Sequence, residues 1–249
     1  VNNMTLFCFN EFGLFISTET ATIQKHLNVD GISDSGIYTA YIPSHTRIIH
    51  FLGNHSEGLY DETNFPGQTE SMVIANMEGG SGMLVYWSRF EMDANSQKSM
   101  HEQLSELKYT IAGKTYSGIK LIRNQAKITI ADWTTDDFIL TGFRTVNIPA
   151  FGTVAPHHPQ DHFHIVDNWE DTEDFITLPN NQALMSDIVD INTKNEDYIF
   201  ETENSGDRQV SVIIKGRNKS GDTAEKYYRI VMQNDDGSNF MIRRNHNYN

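Results

Sequence analysis

The 249 residues hold 33 acidic side chains against 19 basic ones, a formal charge of −14. A surface of that sign repels phosphate backbones and anionic lipid, which argues against nucleic acid and membrane surfaces as partners. A hydrophobic share of 38%, with 11% aromatics, is enough for a real core, and the length suits one large or two medium domains.

One cysteine, Cys8, rules out an intrachain disulfide. It lies in the apolar run from Leu6 to Phe9 and reads as a small buried hydrophobe. Cysteine poverty is compatible with export where core packing replaces bridges. No stretch approaches the roughly 18 apolar residues of a membrane-spanning helix. The chain opens at Val1 and enters an apolar strand almost at once, so removal of an N-terminal piece is expected.

Period-2 patterning dominates. Residues 4–9 (MTLFCF) predict the first strand, followed by a turn at Glu11-Phe12-Gly13. Residues 36–42 and 46–52 predict two more, joined at Pro43-Ser44. In the second, Ile48 and His50 point one way and Ile49 and Phe51 the other, so both faces are expected to be buried. Residues 67–77 predict a short helix, ended by Gly79-Gly80-Ser81-Gly82, which reads as a flexible turn. Residues 83–87 predict a strand. Residues 96–107 predict a second short helix with Met100, Leu104 and Leu107 on one face. Residues 119–131 predict one long strand with Ile122, Ala126, Ile128 and Ile130 on its core face and Arg123, Gln125, Lys127 and Thr129 on the other. Residues 138–147 predict the next strand.

Residues 148–164, with Pro149, Gly152, Pro156, Pro159 and four histidines, then read as a linker or long surface loop, continued by the acidic run 167–174. Strands are expected near 197–203, 209–216 and 225–232, the last two joined by a hairpin loop at Ser220-Gly221-Asp222, with a final strand from 239. This organisation predicts domains at 1–148 and 149–249, the second cut short at its C-terminal end. Many short strands without βαβ alternation predict a mainly β fold of antiparallel sandwiches with one or two short helices.

The most tempting ligand set is His157, His158, His162 and His164, with Asp161 among them. On extended backbone His162 and His164 face one side, and imidazoles suit zinc or copper. Pro156 and Pro159 mark a loop that fixes no geometry, so a solvated linker is the first reading and no metal or other cofactor is expected. The acidic run lacks the glycine spacing of a calcium loop, and Trp169 within it reads as a loop anchor. No nucleophile elbow, zinc-protease motif, phosphate loop or dinucleotide fingerprint occurs, so the chain reads as non-enzymatic. Arg243-Arg244 has the form of a tryptic site but lies in a predicted strand.

Six segments, in order along the chain, resemble the fimbrillin family of Bacteroides-type pili. They are Leu6 to Gly13 (LFCFNEFG), Arg47 to Asn54 (RIIHFLGN), Met83 to Trp87 (MLVYW), Leu121 to Ile128 (LIRNQAKI), Phe143 to Pro149 (FRTVNIP), and Tyr227 to Ile230 followed by Ile242 to Tyr248. Gly53 and Ser88 depart from the family pattern. The resemblance implies two transthyretin-like Greek-key sandwich domains and a signal peptide on a lipoprotein precursor. It also implies a place in the fimbrium at the outer membrane, where subunits assemble by adding a strand from a neighbour. The partners implied are other pilus subunits. Asp222-Thr223-Ala224 is similar to the short O-glycosylation acceptor of exported proteins in such bacteria, which makes Thr223 the candidate acceptor. The functional expectation is a structural or tip pilus subunit supporting adhesion. The alternative is a surface adhesin module that binds a host glycan or protein without polymerising.

Overall fold

The computed structural model describes residues 4–29, 32–55, 62–80, 83–111, 113–131, 135, 137–157 and 183–249. In chain order the first strands are β1 (Met4–Phe9), β2 (Phe15–Val29), β3 (Ile32–Thr39), β4 (Ile48–Gly53), β5 (Glu78–Gly80), β6 (Tyr86–Glu91), β7 (Lys108–Ile111), β8 (Lys114–Ser117) and β9 (Ile122–Arg123). They are followed by β10 (Ala126–Thr129), β11 (Phe138–Pro149), β12 (Phe151–Thr153), β13 (Ala183–Met185), β14 (Val189–Asp190), β15 (Glu196–Ile199), β16 (Ser211–Asn218), β17 (Lys226–Val231) and β18 (Asn247–Tyr248). Two short helices, α1 (Glu70–Ala75) and α2 (Met100–Glu106), interrupt them. The class is mainly β, with antiparallel sheets, as the alternating pattern predicts.

Contacts divide the chain into two compact units. One takes the described residues of Val1–Met77 and Val85–Arg123. The other takes those of Glu78–Leu84, Asn124–Pro159 and Val166–Asn249.

The first unit is built on a six-stranded sheet of order β3-β2-β1-β4-β6-β9, antiparallel throughout. β1 and β4 lie in its middle and are buried at every position. A strand paired on both sides and covered on both faces has no place for alternation, which is why MTLFCF and IIHFLG are almost wholly apolar. On one face Met4, Leu6 and Cys8 pack with Ile49, Phe51 and Phe90, under Met100, Leu104 and Leu107 of α2, the face the helical spacing predicts. On the other, Phe15 meets Phe9 and Phe65 edge to face, and Phe7 lies tilted against Phe15 and Phe65. α2 starts on a capping box between Ser99 and Glu102. Thr69 caps α1 through Met72 N–H.

The second unit packs a three-stranded sheet, β15-β10-β18, and a larger sheet, β13-β11-β16-β17 with β14 also on β11, around one core of Ala126, Ile128, Leu140, Phe143, Ile148, Ile199, Val212 and Ile214. β11 is bulged twice, between Leu140 and Gly142 and between Val146 and Ile148. At the second bulge Asn147 takes φ +62°, and its side-chain amide donates to Gln209 O at 3.1 Å. Asparagine is among the few non-glycine residues that accept this region, because its short amide bonds locally.

Several expected boundaries move. The predicted strand 119–131 is two strands in different sheets, β9 in the first unit and β10 in the second. Between them Asn124 and Gln125 are fully buried, and both side-chain amides donate to Met83 O, at 3.2 and 2.8 Å. The alternation places Gln125 on a solvated face; the bond to Met83 O holds it inside instead. Gly79 and Gly80 belong not to a loose turn but to β5, paired with β12. A Cβ at Gly152 would lie 2.0 Å from the Phe200 ring, so this ribbon needs glycine to pass beneath it. Residues 152–157, read as a solvated linker, are buried. The strand expected at 83–87 begins at Tyr86. The final strand expected from 239 is reduced to an isolated bridge of Ile242 with Thr202 and to β18, parallel to β10. The alternation of β2, the longest strand, is hidden in sequence because Ser17, Glu19 and Lys25 fall on the parity of Phe15, Ala21, Ile23 and Leu27. Among the described residues no helix is long and apolar enough to cross a membrane.

Candidate functional site

The sequence-selected residues do not converge. His157 is 1% exposed and its Nδ1–H donates to Ala155 O at 3.2 Å, so it is a packed residue and not part of a solvated linker. His158, His162 and His164 lie outside the described residues, as do Asp161, Trp169 and the acidic run 167–174. Among the described residues no group of three or more His, Cys, Asp or Glu could hold a metal ion. Thr223 is exposed in the loop between β16 and β17, where Asp222 Oδ1 accepts the Ala224 N–H at 3.0 Å. It borders a polar recess of about 350 Å³ shared with Thr141, Asp190, Arg217 and the Lys215–Glu225 ion pair. Cys8 is enclosed, and burial pushes its thiol up to about 12.

The feature with the clearest capacity to engage another chain is the border of the larger sheet in the second unit. Among the described residues β17 pairs with β16 alone. Its register sets Tyr228 opposite Ile214 and Ile230 opposite Val212. Directly opposed residues share a face, so Tyr228 points to the core side with Ile214 and Val212. It meets Phe138 edge to face at 5.7 Å yet remains 48% exposed, and Tyr227 on the other face is 56% exposed. Tyr228 thus leaves half its surface bare on the core side, next to a row of backbone groups with no strand beyond them among the described residues. Most proteins cover such a border. Sequence patterning missed it: Lys226-Tyr227-Tyr228-Arg229 does not alternate, so nothing in the run separates a border strand from an interior one.

Each unit also buries a polar cluster that sequence reading did not find. In the first, Trp87 Nε1–H donates to His50 Nδ1 at 3.0 Å, so the imidazole proton sits on Nε2 and is donated to Glu70 Oε1 at 2.7 Å. Arg89 donates to both oxygens of the same carboxylate. Burial works to raise the Glu70 carboxyl, but the bonds from His50 and Arg89 together outweigh it and hold the group at about 2. Burial keeps His50 below its ordinary range. In the second, Arg244, 1% exposed, donates to Glu201 Oε1, Thr153 Oγ1 and Val154 O. The residue with the form of a tryptic site is therefore enclosed. The first cluster ties β4 and β6 to α1, and the second ties Arg244 to Glu201 and to the end of β12.

No family model matches the chain, and no curated protein does. Its fold is similar to that of a fimbrial assembly protein from Parabacteroides distasonis ATCC 8503, with TM-score 0.55 and 12% identity over 99% of this chain and 81% of that one. A provisionally assigned cell adhesion protein from Bacteroides eggerthii DSM 20697 aligns with TM-score 0.49 and 14% identity, over 98% of this chain and 76% of the other. The fold likeness is consistent with the fimbrillin-type resemblance carried by the six sequence segments.

Proposed function

We propose that this chain is a structural or tip subunit of a bacterial surface pilus, exported from a lipoprotein precursor, that receives a strand from a neighbouring subunit along β17 and so supports adhesion. The observation that carries this reading is the one-sided β17 with Tyr228 half-exposed on the core side of its sheet. The fold likeness to a fimbrial assembly protein along nearly the whole chain supports it. An added strand completes the backbone ladder and seats side chains beside Tyr228. About five apolar side chains would contribute on the order of 7–15 kcal/mol of burial before ordering costs.

The test is assembly of the full-length, protease-trimmed protein. Ladders that survive SDS are expected. A lysine in place of Tyr228, an inward-pointing charge at a sheet border, should abolish them while leaving the monomer folded. Monomers only, or ladders indifferent to Tyr228→Lys, would sink the reading. Thr223 is the proposed glycan acceptor on the same exported protein. Intact mass of material from its native cell should exceed the polypeptide mass, and Thr223→Ala should remove the excess; an unmodified mass ends that assignment.

A further inference from the structure

We infer that the strand received by β17 is the opposite border of the same sheet in a second copy of this chain, the stretch 183–190 that contains β13 and β14. The inference rests on the reading of β17 as the receiving border and names its partner.

Strand direction is the first argument. Along β13-β11-β16-β17 every neighbouring pair is antiparallel. Four strands alternating in direction leave the two borders running opposite ways. A copy displaced sideways without rotation therefore presents its β13 antiparallel to β17 of the first, the better-bonded pairing. An odd number of strands would have offered a parallel one.

Charge is the second. β17 carries Lys226 and Arg229 and no acid, whereas 183–190 carries Asp187 and Asp190 and no base. Lys226 is only loosely engaged, 3.8 Å from Asp222. In a chain of net charge −14 two copies repel on average, so a locally basic border facing a locally acidic one selects this approach over others. Pairing of β17 with itself would instead bring two basic strands together.

Apolar exposure is the third. Leu184, Met185 and Ile188 are 41%, 53% and 51% exposed on one border, and Tyr227 and Tyr228 are similarly bare on the other. Among the described residues β13 and β14 have β11 on one side and no strand on the other. The contact joins two different surfaces, so it propagates from copy to copy and does not close into a symmetric dimer. It requires no chain segment to leave its own fold.

The experiment places a benzophenone side chain at position 227 of the intact protein and irradiates a mixture of isotopically light and heavy copies. Cross-links between light and heavy chains should map to residues 183–190. Asp187→Lys and Lys226→Glu should each weaken self-association, read by sedimentation, by about ten-fold, and the two changes combined in one chain should restore it. Cross-links to β17 itself, or to a segment elsewhere in the partner, with no restoration in the double variant, would overturn the inference while leaving β17 as a receiving border. Absence of intermolecular cross-links together with ladders indifferent to Tyr228→Lys would overturn both.

Discussion

The two units bury charge in different ways. In the first, a carboxylate that is 16% exposed, Glu70, is shared between a neutral histidine and an arginine that is itself 25% exposed. In the second, Arg244 and Glu201 are enclosed at 1% and 4%, and a hydroxyl and a carbonyl each take a further guanidinium proton. The first cluster contains a histidine that burial holds below its ordinary range; the second contains an arginine, which does not titrate, and its carboxylate. A buried pair of that kind contributes little net stability over an apolar replacement, but removing one member strands the other without water. The lesson is that one unit has a stability set partly by acidity and the other has one set by completeness of a hydrogen-bond shell.

The sharpest way to break the comparison is Arg244→Ala. It leaves Glu201 buried and unpaired and should cost about 3–5 kcal/mol in urea unfolding, confined to the transition of the second unit. A loss below about 1 kcal/mol would show that Glu201 rehydrates or protonates without penalty. Glu70→Gln is the next largest. It keeps the shape and an acceptor for His50 but weakens two bonds from Arg89, so a loss of about 1–3 kcal/mol is expected, read by thermal melting.

The smallest effect is a slope, not a step. His50 titrates lower folded than unfolded, so its contribution is complete above the ordinary value of 6.5 and is lost as pH falls below it. Glu70 is likewise depressed, from 4.5 to about 2, so its contribution is lost only below about 4.5. The first unit should therefore weaken in two stages on acidification. His50→Gln, which can still accept from Trp87 and donate to Glu70, should remove the upper stage alone. An unchanged slope between pH 7 and 5 in that variant would assign the upper stage to another histidine.

Much of this fold is legible in the order of side chains, for identifiable reasons. β1, β4, β11 and β16 follow runs whose alternation, or wholesale apolarity, matches how many faces are covered. The resemblance segments carry backbone information too. Asn54, Asn147 and Asn245 each close or interrupt one of those segments and each adopts positive φ, so they mark where a strand must bend. Failures fall where local pattern carries no long-range content. Period 2 resumes after a single polar break at Asn124, although the chain passes there from one unit to the other. The Pro- and His-rich stretch looks like a boundary by composition, but residues 152–157 are packed. His50 and Glu70 are 20 residues apart and Arg244 and Glu201 are 43 apart. Their meeting depends on register between elements, which no window of sequence encodes.

The single sulfhydryl adds a practical consequence. With burial holding its ionisation near 12, Cys8 is protonated and shielded at any working pH, so alkylating reagents can reach it only when the central strand of the first unit breathes. The other unit holds no thiol. The rate of alkylation in the unaltered protein is thus an intrinsic clock for opening of the first unit alone.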